Sequence, residues 1–178
     1  MIKIIKNILP PEINKNIITA LCNQQNWSFP HDIKDMTREI FLNNFVKNNI
    51  SNCGFSLVTY DNFNNIHIKT ELNLYGEIIF YCIKQKSKLN IFDIKRIYWN
   101  YYDQSSTGNY HEDKGEENYI SIIYNLHTND GGTYIKNKFI PSNEGEAIIF
   151  PSNIIHKGVA PIKNKHRFNL NIICSYDK

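Results

Sequence analysis

The sequence predicts a mainly β fold with supporting α: a double-stranded β-helix, in which two sheets pack as a jelly roll and helices cover one of them. Helical periodicity is confined to the first half of the chain, whereas the second half is a series of short β-branched and aromatic segments separated by turn residues. A length of 178 residues with 42% hydrophobic content suits one domain with a substantial core and excludes wholesale disorder.

In chain order, Ile2 to Ile5 alternate with lysines as a short strand. Pro10 and Pro11 then open a helix that runs to about Cys22, because a first helical turn does not need the N–H that proline lacks. Trp27-Ser28-Phe29 reads as a strand with its aromatics in the core, and Thr37 to Phe45 as a short helix. Gly54 to Tyr60 is the next strand, and Asp61 to Asn65 is a polar loop placed to border a groove. From Thr70, a residue suited to an N-cap, the positions Leu72, Tyr75, Ile79, Cys82 and Ile83 recur at helical spacing and should pack on the outside of a sheet. Ile94 to Tyr102 forms a strand, followed by a Ser- and Gly-containing loop at 103–109. Tyr119 to His127 follows, Asp130-Gly131-Gly132 turns the chain at positive φ, and Thr133 to Lys138 and Glu146 to Phe150 continue the antiparallel series.

The formal net charge of +3 is dispersed along the chain, which gives no reason to expect a nucleic acid or a membrane as partner. The four cysteines, Cys22, Cys53, Cys82 and Cys174, are widely spaced without a Cys-x-x-Cys pair. With no signal peptide or long apolar span in view, the expectation is a soluble protein of the reducing cytoplasm.

Chemistry concentrates between residues 110 and 167. His111 and Asp113 stand two apart, and in an extended segment such residues project from one face. Further on, the β-like run Ile148 to His156 delivers a second imidazole. Two histidines and one carboxylate form the facial triad suited to non-haem iron(II), which leaves coordination positions open. Arg167 is one of three arginines against seventeen lysines, and its planar fork can grip a carboxylate through two parallel hydrogen bonds. In the strand it begins, Arg167, Asn169 and Asn171 share one face, while Phe168, Leu170 and Ile172 share the other, the pattern of a polar pocket opposite a packed core. The other imidazoles fit less well: His31 has no partner at metal spacing, His127 ends a strand without a carboxylate beside it, and His166 should point away from Arg167.

The segments His111-Glu112-Asp113, Asp130-Gly131-Gly132-Thr133, Glu144 to Pro151, His156-Lys157-Gly158 and Arg167 together resemble the iron(II) and 2-oxoglutarate dependent dioxygenases, in the prolyl 4-hydroxylase-like branch of these cupin-like folds. A weaker match at Ile5 to Glu12 extends the resemblance over nearly the whole chain, although it is specific only from about Ile97. It implies one dioxygenase domain over 1–178, with 1–92 as support and 93–178 as the metal-binding core. It further implies Fe(II) held by His111, Asp113 and His156, and 2-oxoglutarate held by Arg167 with Tyr124 and Tyr102. Asn169 stands where the family commonly has a serine or threonine, and an amide can still donate a hydrogen bond there. The resemblance also implies O2 as oxidant, with ascorbate as an optional accessory reductant. The implied reaction is hydroxylation of an unactivated C–H bond with release of succinate and CO2, with a prolyl residue of a protein or peptide as leading substrate. A free amino acid or other small molecule is the enzymatic alternative, and a non-catalytic jelly-roll binding module the other.

Overall fold

A computed structural model describes residues 2–27, 54–106 and 108–177. The chain begins with β1 (Lys3–Ile5) and α1 (Pro11–Cys22), then β2 (Phe55–Asp61), β3 (Ile66–His67), α2 (Glu71–Ser87) and the long β4 (Ile91–Asp103). The strands β5 (Tyr119–Asn125), β6 (Asn129–Ile135), β7 (Lys138–Ser142), β8 (Ala147–Pro151), β9 (His156–Val159) and β10 (His166–Tyr176) complete it. The expected helix at Thr37 to Phe45, most of the Trp27-Ser28-Phe29 strand, His31 and Cys53 lie outside the described residues.

The sheets are antiparallel, one of seven strands in the order β1-β8-β5-β10-β4-β2-β3 and one of three in the order β7-β6-β9. Strands from both halves of the chain therefore pair within one sheet. Both helices form as their sequences dictate. Pro11 occupies the first turn of α1, and the Thr70 hydroxyl caps α2 by accepting the Asn73 N–H at 3.3 Å. Lys84 and Lys86 in the last turn of α2 oppose the negative end of its dipole.

The two faces of the large sheet are built for different purposes. On the outer face, Ile17 and Leu21 of α1 and Leu72, Ile79 and Ile83 of α2 pack with Trp99, Ile122, Tyr124, Leu170 and Ile172 in the main core. Each such aliphatic side chain, fully buried, contributes roughly 1.5–3 kcal/mol. On the inner face, Ile123, Ile148 and Phe150 meet Ile135 and Ile140 of the small sheet in a second, smaller core. The space left between the two sheets holds the polar side chains described below. No helix of the described residues is long and apolar enough to cross a membrane.

The second half departs from expectation in three places. Gly131 and Gly132 do not form a left-handed turn; they lie inside β6, beside a register shift against β7 between Asn129 and Gly132. Close approach is what excludes side chains there: a Cβ on Gly131 would stand 2.6 Å from the Val159 carbonyl oxygen, and one on Gly132 would stand 2.4 Å from that of Ile140. The segment Thr133 to Lys138 is not one strand, because Lys136 takes positive φ (54°) and turns the chain from β6 into β7. Finally, β7 and β9 complete the small sheet with no sequence pattern that announced them.

Candidate metal centre

His111 belongs to no regular strand, but its backbone forms an isolated bridge with His156 at the start of β9: each N–H donates to the other's carbonyl oxygen at 2.9 Å. The N–H groups of Asp113 and Lys114 both donate to the Ser152 carbonyl, at 3.0 and 3.2 Å, which pins the 111–114 segment to the turn after β8. The result gathers His111, Asp113 and His156 so that one ligand atom from each lies within 4.8 Å of the others.

The donor atoms are prepared for a cation. Nδ1 of His111 lies 2.9 Å from the Asn109 carbonyl oxygen, and Nδ1 of His156 lies 2.9 Å from that of Ile154. A carbonyl can only accept, so Nδ1 carries the proton in each neutral ring and Nε2 presents a lone pair. Those Nε2 atoms face the two oxygens of Asp113, at 3.9 Å for His111 and 3.5 Å for His156. Burial, the largest influence on His156, pushes its pKa below the ordinary histidine value despite Asp113 beside it. For Asp113 burial opposes the charge, yet the Arg96 guanidinium, His156 and the Ser121 hydroxyl outweigh it and hold the carboxyl well below the usual carboxylate range. Neutral imidazoles and an anionic carboxylate are the protonation states a divalent metal needs.

The partners of Asp113 come from three strands. Arg96 Nη2 donates to Oδ1 at 2.5 Å, the Ser121 hydroxyl to Oδ2 at 2.6 Å, and the Asn171 amide to the same oxygen at 3.1 Å. Alternation along β10 places Asn171 on the polar face, but the sequence reading gives Arg96 and Ser121 no role. The signal for Arg96 is its strand parity with Asn100 and Tyr102 in β4; Ser121 carries none, being a small residue in an apolar run.

Arg167 lies at the far end of the same pocket, whose lining includes Tyr102, His111, His156, Gly158, Arg167 and Asn169. It is completely buried, and its hydrogen bonds go to neutral oxygens: the carbonyl of Gly132 at 2.6 Å, the Thr133 hydroxyl at 3.0 Å, and more distantly the Val159 carbonyl and the Asn125 amide. No carboxylate of the described residues pairs with it, and its Nε is buried without a hydrogen-bond partner among them. Burial pushes its pKa down to about 10, a sign that this cation lacks an anion. Asn100 Oδ1, in the same pocket wall, is likewise buried without a partner. The Tyr102 ring lies beneath the guanidinium, 5.4 Å from centroid to carbon, and Asn169 accepts the Asn100 amide at 3.0 Å. A small anion bound between the imidazoles and Arg167 would accept from the unmatched guanidinium N–H, whereas Asn100 Oδ1 calls for a donor.

Tyr124 is a correction. It points away from the pocket into the helix-covered core, fully buried, and its hydroxyl donates to Asn14 Oδ1 of α1 at 2.7 Å. Alternation along β5 requires this, since Ser121 and Ile123 face inward and Ile120, Ile122 and Tyr124 face outward. The two competing imidazoles prove to be packing groups: His127 Nε2 accepts the Phe168 N–H at 3.1 Å, and His166 stacks near Tyr101.

Fold and geometry together define a class: a double-stranded β-helix whose two sheets enclose a His-Asp-His cluster facing a buried arginine. No protein-family model and no curated protein matches the chain. Solved structures do. A Pseudomonas putida prolyl-4-hydroxylase superposes with a TM-score of 0.59 at 13% identity, covering 99% of this chain and 93% of that one. A prolyl hydroxylase from Trichoplax adhaerens, in complex with a hypoxia inducible factor peptide, gives 0.62 at 14% identity, covering 99% and 83%. The non-heme alpha ketoglutarate dependent carbocyclase SnoK, from nogalamycin biosynthesis, gives 0.66 at 8% identity, covering 98% and 79%. At such identities the likeness is one of fold, and the fold is that of the iron(II) and 2-oxoglutarate dependent dioxygenases.

Proposed function

We propose that this chain is an Fe(II)- and 2-oxoglutarate-dependent dioxygenase that hydroxylates an unactivated C–H bond, with a prolyl residue of a protein or peptide as leading substrate. The observation that carries the reading is a pairing across one pocket. Three potential ligand atoms lie within 4.8 Å of one another at one end, and a buried guanidinium with no carboxylate partner among the described residues stands at the other. In this reading His111, Asp113 and His156 hold the iron, Arg167 binds the distal carboxylate of 2-oxoglutarate, Tyr102 packs under the guanidinium, and Asn169 shapes the wall between them. Iron, when bound, supplies the O2 chemistry that converts 2-oxoglutarate to succinate and CO2 and places one oxygen atom on the substrate.

The chain's own residues prepare the site for that chemistry. The Asn109 and Ile154 carbonyls fix both imidazole tautomers, so no proton must leave Nε2 before it can act as a ligand. Buried Arg167 favours a ligand with a carboxylate at one end, and its Nε–H, unpaired among the described residues, is the donor left to receive it. The His111 side chain is 30% exposed against 2% for His156, so the His111 side is where substrate would approach. Support for a peptide substrate is the peptide-bound neighbour, and support for a small molecule is the carbocyclase. The described cysteines Cys22, Cys82 and Cys174 are free, in keeping with a cytoplasmic setting.

The test is an anaerobic titration with Fe(II) and 2-oxoglutarate, followed by admission of O2 with panels of proline-containing peptides and free amino acids. Succinate release with a product heavier by one oxygen atom is the expected result. Tight binding of Fe(II) and 2-oxoglutarate without turnover on any panel would replace the enzyme with a binding module. Products confined to the amino acids would move the substrate to the small-molecule class.

A further inference from the structure

We infer that Arg96 is the positioning residue of the metal centre, fixing the orientation of the Asp113 carboxylate and anchored in turn by Tyr98 and Asp61; this rests on the reading of His111, Asp113 and His156 as the iron site. Arg96 lies in β4, opposite Asp61 of β2 and Ile173 of β10. Its contact with Oδ1 of Asp113, at 2.5 Å, joins side chains that are 15% and 2% exposed, so solvent screens the pair little. Such a charge-assisted bond is both short and directional.

The two carboxylate oxygens are held differently. Oδ1 is committed to Arg96, with the Asn171 amide a further 3.4 Å contact. Oδ2 accepts two neutral donors, the Ser121 hydroxyl at 2.6 Å and the Asn171 amide at 3.1 Å, and the hydroxyl has a second acceptor in Ser152 at 3.0 Å. The Ser121 hydroxyl can therefore turn away and leave Oδ2 a single neutral contact, whereas the charge-assisted bond from Arg96 holds Oδ1. Arg96 thus retains Oδ1 and leaves Oδ2, the oxygen nearer the His156 Nε2, for a cation.

Arg96 is itself held from behind. Its guanidinium carbon lies 4.4 Å from the centroid of the Tyr98 ring, and the Tyr98 hydroxyl donates to Asp61 Oδ2 at 2.7 Å. Asp61 is buried and also accepts the N–H groups of Phe63 and Asn64, at 3.0 and 3.2 Å, and the Asn64 amide at 2.8 Å. A continuous line of contacts therefore runs from a capped surface turn, through β2 and β4, to the acidic ligand. None of these residues needs to touch iron or 2-oxoglutarate to matter.

The experiment is a Co(II) titration of the full chain without O2, following affinity and the ligand-field absorption bands, with a thermal melt to verify folding of each variant. Arg96→Met is expected to bind Co(II) about 10- to 100-fold more weakly, the range typical for loss of a partner behind a metal ligand, with altered bands as the carboxylate reorients. Arg96→Lys, which keeps the charge and loses the planar fork, is expected to recover part of the affinity but not the native bands. Tyr98→Phe is expected to show a smaller loss in the same direction. Native affinity and bands in Arg96→Met would overturn the inference, as would tighter binding, which would make the guanidinium a competitor of the cation. If Arg96→Met does not fold, Tyr98→Phe decides, and native values there overturn it. Absence of Co(II) binding in the wild type, or binding undiminished in His156→Ala, would instead overturn the metal-centre reading on which the inference stands.

Discussion

Among the described residues the hydrogen bonds of buried Arg167 all go to neutral oxygens, so its role can be separated from that of the proposed metal ligands. Arg167→Lys loses the fork and should weaken 2-oxoglutarate binding at least tenfold while leaving Co(II) affinity within about twofold, as judged by calorimetry with each ligand. Equal weakening of both would mean that the guanidinium only maintains the fold. His127 offers a test of a different kind. Burial, helped by neighbouring His166 and Arg167, pushes its pKa down to about 4, and its Nε2 must stay unprotonated to accept the Phe168 N–H. A folded-state pKa below the unfolded value near 6.5 means that the unfolded chain binds the proton more readily. The stability from neutral His127 is therefore present above about pH 6.5 and is lost as the pH falls toward 4. Since the ring is partly open to solvent, the effect should be about 1–2 kcal/mol. His127→Gln, which keeps an acceptor that does not titrate, should flatten this part of the urea-midpoint profile against pH; an unchanged profile would assign the acid sensitivity elsewhere.

At the level of strands, β10 and β5 illustrate why one face is readable from the sequence and the other is not. In β10 the polar series Arg167, Asn169, Asn171 alternates with Phe168, Leu170, Ile172, and that contrast alone identifies the pocket side. In β5 the run Ile120-Ser121-Ile122-Ile123-Tyr124 is buried on both faces, so alternation has no contrast, and the resemblance that assigns Tyr124 to the pocket puts it on the face opposite the one it occupies. β9 carries a further constraint at Gly158, where an added Cβ would stand 2.5 Å from the Tyr102 hydroxyl and 2.7 Å from Cζ. Gly158→Ala must displace the ring beneath Arg167. We expect a loss of about 1–3 kcal/mol in stability and weaker 2-oxoglutarate binding, checked by thermal melting and calorimetry. Native cosubstrate affinity in that variant would remove Tyr102 from the pocket's working parts.

Across the whole molecule, the site joins the two sheets: His156 comes from the small one, Asp113 is held by side chains of the large one, and His111 bridges to His156. Ligands that bind here should therefore stabilise the entire fold. At about one hundred times its dissociation constant, Co(II) should add about 2.7 kcal/mol, or roughly 5–10 °C in the melting temperature of a domain this size, and His156→Ala should abolish the gain. An equal gain in the variant would place the metal elsewhere. The residue chemistry needed for this is legible in the chain: a His-x-Asp pair, a distant histidine and a rare arginine on a polar strand face, together with the helices that Pro11 and Thr70 begin. What tertiary structure alone decides is long-range register. The bridge from His111 to His156, the pairing of Arg96 with Asp113, the close approach that demands Gly131 and Gly132 inside a strand, and the outward turn of Tyr124 all depend on which residues meet across strands. A local pattern states that neighbours alternate between two faces, but a shift of one residue exchanges those faces, and only packing between the sheets fixes that choice.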